Sequence, residues 1–376
     1  MQIDVFSHIS QIDPQQWNAL LSDNNPFLRH EFLSALENHG CVGEQFGWLP
    51  RHIAVYQDNE LVAAMPLYEK HNSYGEFVFD NAWAQAWQQH GLQYYPKLVS
   101  AIPYTPATGQ RMLFRDGQEQ QFYPLLLHAC RDIARQLNAS GIHILFPQSE
   151  QLNWLEQQGA WIRHDCQFYW HNRNYSCFDD FLAQLNSRKR KNIIKERRMV
   201  TEAGVTLKCL NGYQASANDW QKMSDFYHHT FEEKWGIPTL NYGFFKEVAE
   251  KLPEQILLVL AEQDGQCIAG TLMYRSDSTL YGRFWGANKT LKGLHFEACY
   301  YQGIEYCIAQ GLNVFEPGAQ GEHKIARGFV PTMTRSAHFM LQEHFSQALK
   351  NFIAHEKQHI INYMEQVNHH LPYRKT

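Results

Sequence analysis

The sequence predicts an α/β protein built as two tandem lobes, each a mixed, mostly antiparallel sheet flanked by helices. Three observations lead there. "AVYQDNELVAAMPLY" (54–68) resembles "LAEQDGQCIAGTLMY" (260–274), with Asp58 aligned on Asp264, Ala63 on Ala269 and Tyr68 on Tyr274. "GIHILFPQSEQLNWLEQQGAWIRHDCQFYW" (141–170) lies ungapped on "GLNVFEPGAQGEHKIARGFVPTMTRSAHFM" (311–340). Both begin with Gly, an apolar run and Pro, and both end in a strand-like apolar pattern. A helical stretch precedes each of these longer blocks, at 123–140 and 295–310. Such internal self-similarity is read before individual elements are assigned.

The elements follow in order. Each block of the first pair reads as strand, tight Asp-Asn or Asp-Gly turn, strand, which is a hairpin signature. "SYGEFVF" (73–79) and "LYGRFWG" (280–286) are expected as third antiparallel strands. The first copy is longer between hairpin and helix, and the excess is placed in a Pro- and Tyr-rich insertion at about 92–120. Two amphipathic helices, 178–204 and 217–235, join the copies, and 345–367 reads as a long closing helix with Phe345 on its apolar stripe. The expected lobes are 1–172, and 173–376 with the closing helix.

A chain of 376 residues with 44% hydrophobic content holds two cores comfortably. The net charge of −5 argues against a general polyanion binder, though not against a local basic patch. No run approaches the roughly 18 apolar residues that span a bilayer. The start, "MQIDVFSHIS", lacks the charged and apolar regions of a signal peptide. Eight cysteines scattered singly fit reduced thiols, so a cytoplasmic location is expected.

Several stretches carry a family resemblance. "SRKRKNIIKERRMVTEAGVTLK" (187–208) looks like the basic helix and strand that open the second unit of the FemABX aminoacyltransferases and their FemAB-like relatives. "FYHHTFEEKWGIP" (226–238) is similar to their next helix, with Trp235-Gly236 at its end. "FWGANKTLKGLHFEACYYQGIEYCIAQGLNVFEPG" (284–318) resembles their fourth strand, helix and fifth strand, and "GEHKIARGF" (321–329) their Lys-containing segment. The resemblance implies two tandem lobes of the Gcn5-related N-acetyltransferase (GNAT) type. It implies an N-acyltransferase that moves an acyl or aminoacyl group to an amine, such as that of a cell-wall precursor. No cofactor is required; the acyl donor would be acyl-CoA or aminoacyl-tRNA. Acetyl-CoA enzymes of this superfamily open the central helix with a glycine-rich loop whose N–H groups hold pyrophosphate. Here "TLKGLH" (290–295) has one glycine, Gly293, and His295 where a small residue belongs.

The candidate site starts from the polar loop after the fifth strand, "EPGAQGEHKIARGF" (316–329), with Gln320 at its middle. The aligned first copy has Phe146 for Glu316, Leu152 for Glu322, Trp154 for Lys324 and Gln157 for Arg327. Ligands of open α/β sheets sit beyond the carboxyl ends of such strands. Acyl transfer to an amine needs a proton acceptor and donors for the oxyanion. Glu297, Glu316 and Glu322 are the base candidates, and Lys324 completes the catalytic set by holding a phosphate or a developing negative charge. Arg327, three residues on, would hold an anion beside it. Gly293 belongs to the donor loop, and backbone N–H groups at Trp285, Gly286 and Ala287 would serve the oxyanion. Arg188, Lys189 and Arg190 head a basic run that would contact phosphates, with tRNA not favoured given the overall acidity. On the acceptor side stand Asp80, Tyr95, Lys97, Tyr104, Thr105 and Arg111.

Two rival readings stay open. "HEKQH" (355–359) fits the His-Glu-x-x-His pattern of zinc peptidases, but no third ligand has the right spacing, so no metal is expected. The other is a non-catalytic binding protein on the same scaffold.

Overall fold

The computed structural model describes residues 1–234, 236–319, 321–341 and 346–374; Trp235, Gln320 and Phe345 lie outside them. The chain divides into two units, Met1–Cys166 with Met333–Asn362, and Gln167–Thr332 with Tyr363–Thr376. The expected division at residue 172 falls near the first crossing. Residues 333–362, expected in the second lobe, belong to the first.

The first unit runs β1 (Gln2–Phe6), α1 (Pro14–Asn18), α2 (His30–Asn38), β2 (Trp48–Pro50), β3 (His52–Gln57), β4 (Glu60–Met65), β5 (Tyr68–Lys70), α3 (Asn81–Gln89), β6 (Lys97–Ser100), β7 (Leu113–Phe114), α4 (Glu119–Gln136), β8 (Gly141–Leu145), α5 (Ser149–Gln157) and the start of β9 (Trp161–His171). Strands β1-β3-β4-β7 form one sheet. A second group has β2 and β5 antiparallel, β5 and β6 antiparallel, and β6 parallel to β8. The β3–β4 hairpin turns at Asp58 and Asn59, both with positive φ (52° and 65°), the geometry that an Asp-Asn pair tolerates. Pro66 follows β4, and the chain leaves that sheet for the other. Ile53, Val55, Leu98, Ile142 and Ile144 pack in one core with Leu126 of α4.

"SYGEFVF" is not a strand. Gly75 and Phe77 take positive φ (79° and 58°), which breaks the extended run, and the segment bends across to α3. The third strand is β6 instead. The stretch at 92–120 is also more regular than expected, since it contains β6 and β7; much of the added chain lies earlier, at 71–96.

The second unit takes the end of β9, then α6 (Phe178–Gln184), α7 (Ser187–Glu202), β10 (Val205–Leu210), α8 (Ala217–Glu233), α9 (Tyr242–Lys251), β11 (Ile256–Gln263), β12 (Gln266–Arg275), β13 (Thr279–Ala287), α10 (Leu294–Phe296), α11 (Gln302–Gln310), β14 (Val314–Glu316) and the very start of β15 (Val330–Met340). Strands β10 to β13 are a continuous antiparallel meander. Its central hairpin turns at Asp264 and Gly265 (φ 53° and 74°). Ser216 and Asp219 form a reciprocal capping box that starts α8. β13 then runs parallel to β14, and β14 pairs with Trp170 and His171 at the end of β9.

The chain closes with α12 (Ser346–Asn368). Residues 336–340 at the end of β15 pair antiparallel with β8, and Leu349 and Ile353 of α12 bury against Trp83 and Trp87. Those contacts explain why 333–362 returns to the first unit. The two blocks aligned in sequence share an order of elements, strand, helix, strand. The order is β8, α5 and β9 in one, and β14, a short 3₁₀ helix over Glu322–Arg327, and β15 in the other.

Candidate functional site

Pairing between β13 and β14 covers only Thr279–Tyr281 against Val314–Glu316. Beyond Tyr281 the two strands part. The opening is tight at its apex, where a Cβ placed on Gly282 would come within 3.2 Å of Pro317 Cα. Past that point β13 presents Arg283, Phe284 and Trp285 along an edge that β14 no longer covers. Glu316 is the last paired residue of β14, and the polar loop starts beside it.

Lys324 enters this fork from the 3₁₀ helix. It is 1% exposed, and its Nζ donates to the Gly318 carbonyl at 2.6 Å. Among the described residues no carboxylate forms an ion pair with it. Burial pushes its ammonium down to about 7; the nearby Cys299 opposes the shift and Arg283 adds to it. Arg283 is itself brought down to about 10 by burial, with Tyr274 and Glu316 opposing. An amine that is half neutral at pH 7 is a competent proton acceptor, whereas an ordinary lysine is not.

The central helix approaches from the other side. Gly293 caps it in the left-handed region (φ 87°), where a side chain would press on the Glu196 carbonyl at 3.0 Å. A π-helical turn over Glu297–Tyr301 separates α10 from α11, a local feature frequent at functional sites. It aims Tyr300 and Tyr301 toward the polar loop. Tyr300 Oη lies 2.8 Å from His323 Nε2. His295 contacts Trp285, Phe296, Tyr300 and His323, and burial pushes it down to about 4, with the positive charges of that neighbourhood adding to the shift. The helix N-terminus is therefore roofed by rings. The Leu294 amide is consumed by the Leu291 carbonyl at 3.2 Å.

Other expected residues turn out to be committed elsewhere. Arg327 does not face the fork beside Lys324. Its guanidinium pairs with Glu196 at 2.6 Å, bonds Tyr301 Oη and the His323 carbonyl, and lies 3.3 Å over the Phe296 ring. Glu297 is buried against Arg197, accepting at 3.1 Å from both Nε and Nη2; Arg197 also binds Glu305 at 2.7 Å. Neither Arg327 nor Glu297 is free for substrate in this arrangement. Glu322 is exposed and accepts from Tyr363 Oη at 2.7 Å, so it lies outside the fork. Gly286 packs so closely on the Phe226 carbonyl that no side chain fits. Trp285 lends its carbonyl to Thr230, and Ala287 pairs with Ala269. Arg188, Lys189 and Arg190 occupy the first turn of α7, which Asn186 caps through the Lys189 amide at 3.0 Å. No contact brings these three to Lys324.

The expected acceptor residues split. Asp80, Tyr95 and Lys97 form one buried cluster in the first unit. Tyr104 instead donates to the Cys41 carbonyl at 2.8 Å, and Thr105 to the Pro103 carbonyl at 3.1 Å. Arg111 is enclosed by the carbonyls of Ala107, Gln110 and Leu145. All three hold the loop rather than a ligand.

Arg283, Glu196 and the Tyr300–Tyr301 pair are not among the residues expected from the sequence. Arg283 had a signal, as the one charge inside the apolar strand "LYGRFWG". Glu196 had another, as the acid within a basic run.

The zinc pattern is not supported by geometry. Glu356 is held by Arg163 through two hydrogen bonds, and His355 and His359 are exposed. Among the described residues no cluster of three metal-ligating side chains occurs. No helix among them is long and apolar enough to cross a membrane.

Comparison with known proteins places this geometry. Residues 8–375 match the model of the FemAB-like family, described as peptidoglycan biosynthesis/recognition. The chain belongs to that family. Among solved structures, it resembles FemX at 13% identity and a TM-score of 0.54, over 93% of this chain and 100% of that one. It resembles the C-terminal domain of a putative lysylphosphatidylglycerol synthetase from Agrobacterium fabrum at 9% identity and a TM-score of 0.55, over 92% and 96%. A protein of unknown function from Bacteroides thetaiotaomicron matches at 10% identity and a TM-score of 0.54, over 91% and 100%. These likenesses establish a shared fold of tandem GNAT-like lobes. No curated protein matches the chain.

Proposed function

We propose that this protein is an N-acyltransferase whose second unit moves an acyl or aminoacyl group onto the amine of a peptidoglycan-precursor peptide. The observation that carries the reading is Lys324, a buried amine without an acidic partner among the described residues, held down to about 7 in the opening between β13 and β14. Family membership supports the acceptor class.

In this mechanism the acceptor enters as an ammonium and gives a proton to neutral Lys324. The freed amine attacks the acyl carbonyl, forming the C–N bond and a tetrahedral oxyanion. Arg283 and the backbone edge of β13 past Tyr281 are placed to stabilise that charge. The adduct's nitrogen releases its second excess proton to solvent, and collapse expels the donor's thiol or ribose hydroxyl, which takes the first proton back from Lys324 and leaves a neutral amide. Glu316, within electrostatic reach of Arg283, orients the guanidinium.

The donor is read as something other than acetyl-CoA. Pyrophosphate needs free N–H groups and glycine-lined approach at a helix start. Here Leu294 has spent its amide and His295 sits under rings. Calorimetric titration with acetyl-CoA is expected to give a dissociation constant weaker than about 100 μM, equivalent to less than roughly 5.5 kcal/mol. A low-micromolar constant would reassign the donor.

The function is tested by incubating the protein and a precursor pentapeptide with either acetyl-CoA or a pool of aminoacyl-tRNAs. A mass increase on the peptide amine equal to one aminoacyl residue is expected. An unmodified peptide with both donors, from protein that still binds the peptide, would overturn the reading.

A further inference from the structure

We propose that residues 71–80 of the first unit form a lid clasped onto two buried lysines, and that the charge of this clasp sets how often the lid opens. Lys70 on β5 and Lys97 on β6 stand directly opposite each other across the strand pair, and neither is exposed. Like charges opposed in this way destabilise a sheet. What compensates them comes almost wholly from one segment. Lys97 Nζ donates to Glu76 at 2.8 Å, to Ser73 Oγ at 3.0 Å and to Asp80. Lys70 Nζ donates to Asn72 Oδ1 at 3.1 Å and to the Tyr74 carbonyl at 3.2 Å, and lies 3.9 Å over the Trp48 ring.

The closed lid is costly to keep. Glu76 Oε1, Asp80 Oδ1, Trp83 Nε1 and His143 Nε2 are buried without a hydrogen-bond partner, and each such atom bears a desolvation cost. Phe77 holds a left-handed backbone (φ 58°), unusual for a bulky residue. Tyr74 and Phe79 turn large rings outward, 41% and 63% exposed, so the lid contributes little apolar burial there.

Every charged or titratable group around the clasp can be assigned. Asp80 stays ionised, because attraction to Lys97 overcomes its burial and lowers it to about 2. Lys97 stays charged, raised by its two carboxylates against its burial. Burial keeps His143 on β8 down at about 3, and His338 on β15 lower than usual as well, so both are neutral at physiological pH. Tyr68, Tyr94 and Tyr95 are raised by burial and stay neutral. Arg163 on β9 is fixed by Glu356 and by the Phe79 carbonyl. At the lid's first residue His71 bonds Glu69, which also pairs with Arg51, outside the lysine clasp.

Two groups titrate near neutrality. Burial pushes Glu76 up to about 7, and pushes Lys70 down to about 7. Closed Glu76 binds its proton more tightly than open Glu76, so closure gains as pH falls below 7. Closed Lys70 binds its proton less tightly than open Lys70, so closure gains as pH rises above 7. The lid is therefore loosest near pH 7, the reverse of a simple salt bridge.

Hydrogen exchange of the full chain, read by mass spectrometry on peptides covering 71–80 and corrected for intrinsic pH dependence, tests this. The opening constant should be about ten- to thirtyfold higher at pH 7 than at pH 5 or pH 9. Glu76→Gln should remove the acid limb and Lys70→Met the alkaline limb, while His71→Gln should leave both. The wild-type profile decides alone if a variant fails to fold. A flat or monotonic profile overturns the proposal, and so does loss of the pH 7 maximum in His71→Gln.

Discussion

Lys324→Met abolishes acyl transfer and, at neutral pH, leaves a protein at least as stable as the parent; that is the result expected. Most substitutions of a residue 1% exposed are destabilising. Here the parent carries the cost instead. Its ammonium is brought from an ordinary 10.5 to about 7 by burial, and every tenfold loss of proton affinity corresponds to about 1.4 kcal/mol. The parent therefore bears a penalty on the order of 4 kcal/mol at pH 7, which a methionine of similar length does not. The sign of the pH dependence follows. Between 7 and 10.5 the unfolded lysine holds a proton that the folded one has lost, so the parent gains stability as pH rises. Thermal melts at pH 7 and pH 10 should show the Met variant's advantage shrinking over that interval. A large fall in melting temperature at pH 7 would mean that Lys324 is a structural tie.

Arg327→Ala has the opposite signature. Its charge is buried with Glu196 and stacked on Phe296, and the Tyr301 hydroxyl donates to the same carboxylate. Removing one member of a buried pair leaves the other unpaired, typically at about 3–5 kcal/mol. The Glu196 side chain keeps 24% exposure, so the lower end of that range applies. Urea unfolding should show the loss. The Glu196→Gln/Arg327→Ala double variant should cost less than the sum of the two singles, because the residues share one interaction. Additive losses would argue that Arg327 acts through other contacts.

These two residues, three apart in one polar loop, show how far the sequence could be read. The hairpins at Asp58-Asn59 and Asp264-Gly265 and the strand before the loop were legible because they rest on local pattern and turn chemistry. The polar loop after that strand was legible too, because its composition is local. What each charge faces was not. Arg327 meets Glu196 from a helix more than a hundred residues earlier, and Glu297 meets Arg197 from that same helix. Such pairings depend on tertiary approach, which no spacing encodes. The strand expected at 73–79 failed for a related reason. Its alternating pattern looked extended, but Glu76 and Asp80 are drawn down onto Lys97, and the backbone bends to deliver them.

The central claim is that neutral Lys324 accepts the proton of the attacking amine. The most direct measurement is kcat/KM for transfer to the precursor peptide as a function of pH, for the parent and for Lys324→Met. With a group at about 7, the neutral fraction rises from roughly a tenth at pH 6 to roughly nine-tenths at pH 8. The parent should therefore gain about tenfold over that interval and then level off, and the variant should have neither the limb nor the rate. A variant that keeps the parent's rate and the same rising limb would contradict the account.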